Sequence, residues 1–579
     1  VETKKEKEAF PYLEKAATLK STNASVYFEL GNGSFLQNDF TRAIQAYNDA
    51  IRLGLNSEVV YNNRGKARLN AGQANESIAD FDRALAIKGD YIQPLRNRGL
   101  ANYELKRYPQ VVADLSVVAS RGEAEAEDYA MLGKSRLNEK DYAGAVDDLT
   151  KALEAGASGH TVSAARGKAY YELKEYDKSL PDLTRAIDAG ATDADIFYTR
   201  ANLKYRLDDF SGALSDIDKA IGNGINTAEA FDLRGYCRYT GKDFDGAISD
   251  FSTAIDRDDK LAIAWYHRGD AKFVKEDLSG AIQDYTQAQT LGYRDARLYN
   301  NRGKAWHKLE DTEKAIADYN EAVRINPEYT KAYENRGDLQ LQAGKFEAAI
   351  KDYRMVEKLT PSPDAELLRK LGDAYFDSKM FVQAHDYFDR LVAAGVKDKD
   401  VYYKRALINI EEEAFAVALK DFEEATAAGY NTAELYINRA RVYIGLGDTK
   451  SATGELNKAI DLDSKNPDLY FNRALIKEEI EDYENAMIDY NKVISLNPQD
   501  AIAYYNRATC KSQLGDYGAG VSDMDEAINL EPKNASFYKQ RGNFYYQIKE
   551  KEKACFDWRR AVEFGDAKAR FQVDQYCNK

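Results

Sequence analysis

The residues of this 579-residue chain whose types could do chemistry are four histidines, four cysteines and a large set of arginines and carboxylates at a constant separation. His160, His267, His307 and His385 are scattered, without the two-histidine helical spacing that grips a metal, and the glycines recur singly instead of forming a phosphate-cradling loop. The arginines are more regular. Arg64, Arg98, Arg166, Arg200, Arg234, Arg268, Arg302, Arg336, Arg405, Arg439, Arg473, Arg507 and Arg541 are each followed sixteen residues later by an acid: Asp80, Asp114, Asp182, Asp216, Asp250, Asp284, Asp318, Asp352, Asp421, Glu455, Asp489, Asp523 and Asp557. Leu30, Leu132 and Leu371 break the series, and Ala46, Asp148 and Tyr387 stand opposite them. One guanidinium beside one carboxylate can bind an anion or move a proton, but thirteen copies describe a framework. Such a pair adds little net stability when partly buried, whereas removing one partner strands a charge. No catalytic residue, cofactor or metal is assigned.

These pairs ride on a strict period. A small residue recurs at Gly31, Gly65, Gly99, Gly133, Gly167, Ala201, Gly235, Gly269, Gly303, Gly337, Gly372, Ala406, Ala440, Ala474, Ala508 and Gly542, every 34 residues with a single interval of 35. An aromatic usually precedes it by four residues, a second small residue follows by twelve, and a large apolar one by sixteen. Spacings of three and four draw one stripe along each of two helices, and the small residues let the helices close on one another. The unit is a helical hairpin, and a fixed period of this size makes a solenoid. The pattern resembles the tetratricopeptide repeat, which places large, small, small, aromatic, Ala and Pro residues at repeat positions 4, 8, 20, 24, 27 and 32. The proline survives as Pro327, Pro361, Pro498 and Pro532, while Gly54, Gly156, Gly190, Gly224, Gly292, Gly395, Gly429 and Gly565 stop the second helix one place earlier. The expected fold is all-α: a right-handed superhelical α-solenoid of about sixteen hairpins. Residues 1–23 read as an N-terminal half repeat, 24–363 as repeats 1–10, 364–565 as repeats 11–16 and 566–579 as a C-terminal capping helix. The 35-residue interval falls at Leu359–Asp364, where Pro361 and Pro363 mark either a joint or a plain loop insertion.

A net charge of −15 spread without a basic stripe argues against nucleic acid, and no apolar run is long enough to span a bilayer. The chain opens on Val1 in the second half of a repeat, so its natural start is expected upstream. Two antiparallel helices turning near Gly565 bring Cys555 within about a turn of Cys577. The two are either bridged, which implies an oxidising compartment, or two reduced buried thiols. The ending resembles the ends of exported bacterial tetratricopeptide proteins and so implies an extracytoplasmic location, with the cytoplasm as the alternative.

The resemblance implies that first helices line a concave groove through positions 2, 5, 6, 9, 12 and 13. Mapped onto this chain, those positions give an aromatic stretch (Tyr198, Tyr205, Tyr236, Tyr239, Tyr266 and Phe273, with Tyr171 beside it) and a basic one (Arg297, Lys304, Lys308 and Lys331). Farther on, an acidic stretch includes Glu366, Asp373, Asp377 and Glu411. An asparagine recurs at position 6, as Asn63, Asn97, Asn301, Asn335, Asn438, Asn472 and Asn506, and resembles the asparagine ladder of the O-linked N-acetylglucosamine transferase repeats. A carboxamide can clamp an extended peptide backbone, or satisfy a neighbouring part of its own framework. The position-12 aromatics likewise either meet a partner or pack between repeats. The expected function is a non-catalytic scaffold holding a protein or extended peptide within a multiprotein assembly. The alternative is the substrate-recruiting arm of a larger enzyme.

Overall fold

The computed structural model describes residues 4–577, with side chains from residue 9 onward. Thirty-four α-helices, and no strand, follow one another among the described residues. They fall into two compact units, residues 1–311 and 312–579, each a row of consecutive helical hairpins.

The hairpin Ala228–Thr240 and Phe244–Arg257 shows why the sequence folds this way. Thr227 caps the first helix by accepting from Ala230 N, and Asp243 caps the second by accepting from Gly246 N. Between them Lys242 turns the chain with a left-handed φ of 65°. The same place in the turn is left-handed in every hairpin, carried by glycine at Gly72, Gly344, Gly447 and Gly515 and elsewhere by residues such as Asn38, Lys174 and Glu276. Gly235 then faces Phe251, and a Cβ there would lie 2.7 Å from the ring edge, so glycine sets how closely the two helices approach. All eight glycines read from the sequence as second-helix stops have positive φ, from 81° at Gly395 to 113° at Gly224.

The arginine and acid of each repeat pair as their spacing requires. Arg234 donates from Nε and Nη2 to the two carboxylate oxygens of Asp250 at 2.9 and 2.6 Å, with Asp250 only 2 % exposed. The same two-pronged contact is made by Arg64, Arg98, Arg166, Arg200 and Arg268 in the first unit, and by Arg336, Arg405, Arg473, Arg507 and Arg541 in the second. A further bond ties successive hairpins. The remaining Nη1 reaches back sixteen residues to the preceding second helix, as in Arg64 to Asn48 (2.8 Å), Arg268 to Ser252 (3.1 Å), Arg336 to Asn320 (2.5 Å) and Arg541 to Asp525 (2.6 Å). In several repeats a second cation one turn along shares the same acid, such as Arg238 on Asp250 (2.7 Å) and Lys272 on Asp284 (2.8 Å). Each of these eleven arginines therefore joins three helices, and its charge is matched where it is desolvated.

Within the second unit one apolar cluster, including Tyr353, Leu368 and Phe388, runs across the connector at 360–364, and Asp364 caps the helix that follows by accepting from Leu367 N. At the amino-terminal end the helix Lys4–Thr18 covers the first full hairpin, with Ala17 against its core. After Gly565 the chain is helical again as Ala569–Gln572 and a π-helical turn, Val573–Cys577. Cys555 and Cys577 form a disulfide with Cα atoms 5.6 Å apart, and Tyr576 packs on Tyr546 and Trp558. Of the two sequence alternatives, the structure has the bridge. Cys237 and Cys510 are free and buried.

Candidate functional site

In the first unit the first helices of successive hairpins, Ala194–Arg206, Ala228–Thr240, Ala262–Val274 and Ala296–Lys308, lie side by side. Positions 5, 9 and 12 share one stripe of each helix because they are three and four residues apart. Side-by-side stripes gather their side chains. Tyr198 and Tyr205, Tyr236 and Tyr239, and Tyr266 line a single cavity of about 360 Å³. Glu229, Asp232, His267 and Asp270 share its walls, Arg297 comes from the fourth helix, and Tyr293 enters from the connector before it.

The rings hold one another. Tyr205 meets Tyr236 edge-on at 5.3 Å, Tyr236 lies 4.9 Å from the His267 ring, and Tyr266 stacks on Tyr293 at 5.0 Å. Tyr205 and Tyr239 are also braced by Phe210 and Phe244 at the start of their own second helices, so the position-12 aromatics serve the framework as well as the cavity. Asp232 Oδ1 and His267 Nδ1 are 2.9 Å apart. The Tyr285 hydroxyl and Asn301 Nδ2 both donate to Asp270 Oδ1, at 2.7 and 2.9 Å. Burial nevertheless pushes the Asp270 carboxyl above its ordinary range, against the pull of those two donors, His267 and Tyr266. Burial also raises the phenols of Tyr198, Tyr205, Tyr239 and Tyr266, and that of Tyr293 to about 12, so these rings stay neutral near pH 7.

The remaining expected residues lie elsewhere. Phe273 is outside the cavity, farther along the helix that carries Tyr266, with the Lys304 and Lys308 ammonium groups 5.3 and 5.4 Å from its ring centre. Arg297 pairs with Asp295 at 2.6 Å and Lys308 approaches Glu276 at 3.5 Å, so the basic stretch is already partly neutralised. Four of the asparagines serve the framework. Asn63 donates to Asn32 (3.1 Å), Asn97 to Asn62 (3.0 Å), Asn301 to Asp270 and Asn438 to the Tyr403 hydroxyl (3.0 Å), each partner belonging to the preceding hairpin. Asn335 and Asn506 are half-buried, and Asn472 is exposed. In the second unit Lys370, Lys404 and Arg441 pair with Glu366, Asp373 and Glu411, which lowers the acidity expected there.

Sequence reasoning missed the carboxylates of the cavity although they occupy the mapped positions: Glu229 at position 2, Asp232 at 5 and Asp270 at 9. Tyr293 was outside the mapping because it sits at position 32 of its repeat. An arrangement of neutral rings, carboxylates and one paired arginine can bind a side chain and hold it in place. No three or more His, Cys, Asp or Glu side chains among the described residues are grouped to hold a metal ion, and no described helix is long and apolar enough to cross a membrane.

Four family models, each described as tetratricopeptide repeat, match residues 130–194, 198–262, 238–292, 296–329, 334–399, 433–466, 467–500 and 489–521. The chain is similar to the peroxisomal targeting signal receptor of Kluyveromyces lactis, 24% identical over 114 residues that make 20% of either chain. It is also similar to the DnaJ homolog subfamily C member 7 homolog of Schizosaccharomyces pombe, 32% identical over 102 residues, 17% of this chain and 21% of that one. The match thus spans about a fifth of these curated relatives. Among solved structures, a tetratricopeptide repeat protein from Parabacteroides merdae is 20% identical with a TM-score of 0.30, covering 45% of this chain and 98% of its own. The structure of Naa15/Naa10 bound to HypK-THB is 13% identical with a TM-score of 0.32, covering 96% and 97%.

Proposed function

Because this chain is a tetratricopeptide repeat protein, we propose that it is a non-catalytic scaffold that holds a protein partner or an extended peptide against its first helices, as part of a multiprotein assembly. The observation that carries the reading is the convergence of five tyrosines from three successive first helices on one cavity. Tyrosine offers a large contact area with few rotors to freeze, which suits a binding hot spot. Phe273, Lys304 and Lys308 extend the surface along the two helices that carry Tyr266 and Arg297. Asn335, Asn472 and Asn506 are proposed partner contacts, and Asn301 and Asn438 act through the framework bonds they make. Relatives named as receptors for a targeting signal are in line with capture of a segment. A photo-crosslinking residue at position 198 or 236 should trap a partner in the native host, and the same residue on the second helices, at position 219 or 253, should not. Equal trapping from both faces refutes the reading, and a catalytic domain in the full-length reading frame would instead make the chain a recruiting arm.

The disulfide between Cys555 and Cys577 supports an oxidising, extracytoplasmic compartment and an assembly of the cell envelope or secretion machinery. Mass spectrometry of native material under non-reducing conditions tests this: free thiols at both positions would remove it.

A further inference from the structure

The charge inside the aromatic cavity is unbalanced, and its sign names an occupant. Among the described residues, neither Glu229 nor Asp232 is in ion-pair contact with a lysine or arginine; Asp232 has only His267 beside it. The one permanent cation in the wall, Arg297, is already paired with Asp295 through Nε and Nη2, the shorter contact 2.6 Å. The other walls are neutral phenol rings, whose faces carry the negative end of the ring quadrupole. Rings and carboxylates attract the same thing.

We propose that this cavity receives one basic side chain of the bound partner, arginine in preference to lysine. This rests on the reading of the cavity as the partner contact and specifies what it recognises. A guanidinium is flat and weakly hydrated, so it can lie against Tyr236 or Tyr266 while its edge donates to a carboxylate, whereas an ammonium remains a hydrated point charge. A volume of about 360 Å³ admits one long side chain with water around it, not a folded segment. The partner backbone then runs along the first helices outside.

Saturation-transfer NMR on the full chain tests this with three probes: N-acetyl-arginine amide, N-acetyl-lysine amide and the neutral near-isostere N-acetyl-citrulline amide. Arginine amide should bind at least five-fold more tightly than citrulline amide, with lysine amide between them. Glu229→Gln with Asp232→Asn should weaken arginine amide at least three-fold and leave citrulline amide unchanged, with the melting temperature measured alongside. Since Asp232 also contacts His267, Glu229→Gln alone, at an exposed position, is the second variant and should act in the same direction. Equal binding of arginine and citrulline amides by the unaltered chain overturns the proposal. So does an arginine affinity unmoved in both variants. If crosslinks from position 198 or 236 persist while the probes are not distinguished, this inference fails and the scaffold reading stands; loss of both removes the reading itself.

Discussion

Replacing Asp352 by alanine should cost more than replacing Asp352 and its arginine together. Asp352 is 3 % exposed and accepts from Arg336 Nε at 2.7 Å and Nη2 at 2.6 Å. Unlike Asp250 or Asp284 it has no second cation at the next turn, where Gln340 stands, so this pair is free of a third charge. Asp352→Ala leaves the Arg336 guanidinium with the Asn320 carboxamide at 2.5 Å and the Tyr333 ring 5.4 Å away, without a counter-charge. Stranding one member of a buried pair costs about 3–5 kcal/mol. Arg336→Leu with Asp352→Ala removes both charges and installs the leucine that the chain itself carries at Leu132 and Leu371. Its cost should be about 1–2 kcal/mol, from lost packing and the lost bond to Asn320. The coupling is then about 2 kcal/mol or more. An array of repeats need not unfold in one step, so the measurement is native-state hydrogen exchange of the amides in Thr330–Gln342 and Phe346–Leu359. Equal loss of protection in the single and double variants would refute the ion-pair frame.

Where leucine replaces the arginine, at Leu132, the acid Asp148 keeps only Arg136 at 3.2 Å, and burial pushes its carboxyl up to about 6. A folded-state value above the unfolded one means a contribution that is full below about pH 4 and lost as pH rises through about 6. Asp148→Asn should therefore raise the melting temperature at pH 8 and change it little at pH 4; an equal effect at both would contradict the assignment. Glu455 is the one acid of the series with an extra methylene, and its closest approach to Arg439 is 3.4 Å, with Arg439 Nε and Glu455 Oε2 both lacking a hydrogen-bond partner. Glu455→Asp should restore the two-pronged contact and add about 1 kcal/mol of local protection in Ala433–Gly445; reduced protection would count against it. Lys174 turns its hairpin at φ 63° and is exposed. Lys174→Gly should gain about 0.5–1 kcal/mol by removing the Cβ from a left-handed residue, and a lowered melting temperature would show that the lysine stem contributes more than its strain.

What could be read in advance was whatever the period implies. Gly235 against Phe251, the turn at Lys242 and the pairing of Arg234 with Asp250 are consequences of one register, and a spacing of sixteen suffices to place them. The converse spacing was equally legible and went unused: a polar residue stands sixteen places before each stapling arginine, as with Asn48, Ser252 and Asn320, because the guanidinium has a third edge to satisfy. The asparagines were harder. Asn301 looks free when its own repeat is read alone, because its acceptor, Asp270, lies 31 residues earlier in the preceding hairpin. Five tyrosines of the cavity were recognisable from position and type. Glu229, Asp232 and Asp270 were not, since a carboxylate on a helix face is ordinarily solvated, and only the packing of the neighbouring first helices shows that Asp270 is desolvated and aimed at the same space. Tyr293 needed coordinates for another reason. It follows Gly292, whose φ of 91° reverses the chain and returns the Tyr293 N–H to Ala288 O at 3.0 Å, so the direction of its ring depends on a backbone turn that residue type alone does not specify. On the proposed reading this surface is listed by arithmetic and charged by packing: the rings follow from the repeat, and the sign of the proposed ligand follows from which carboxylates the stacked helices leave without a cation.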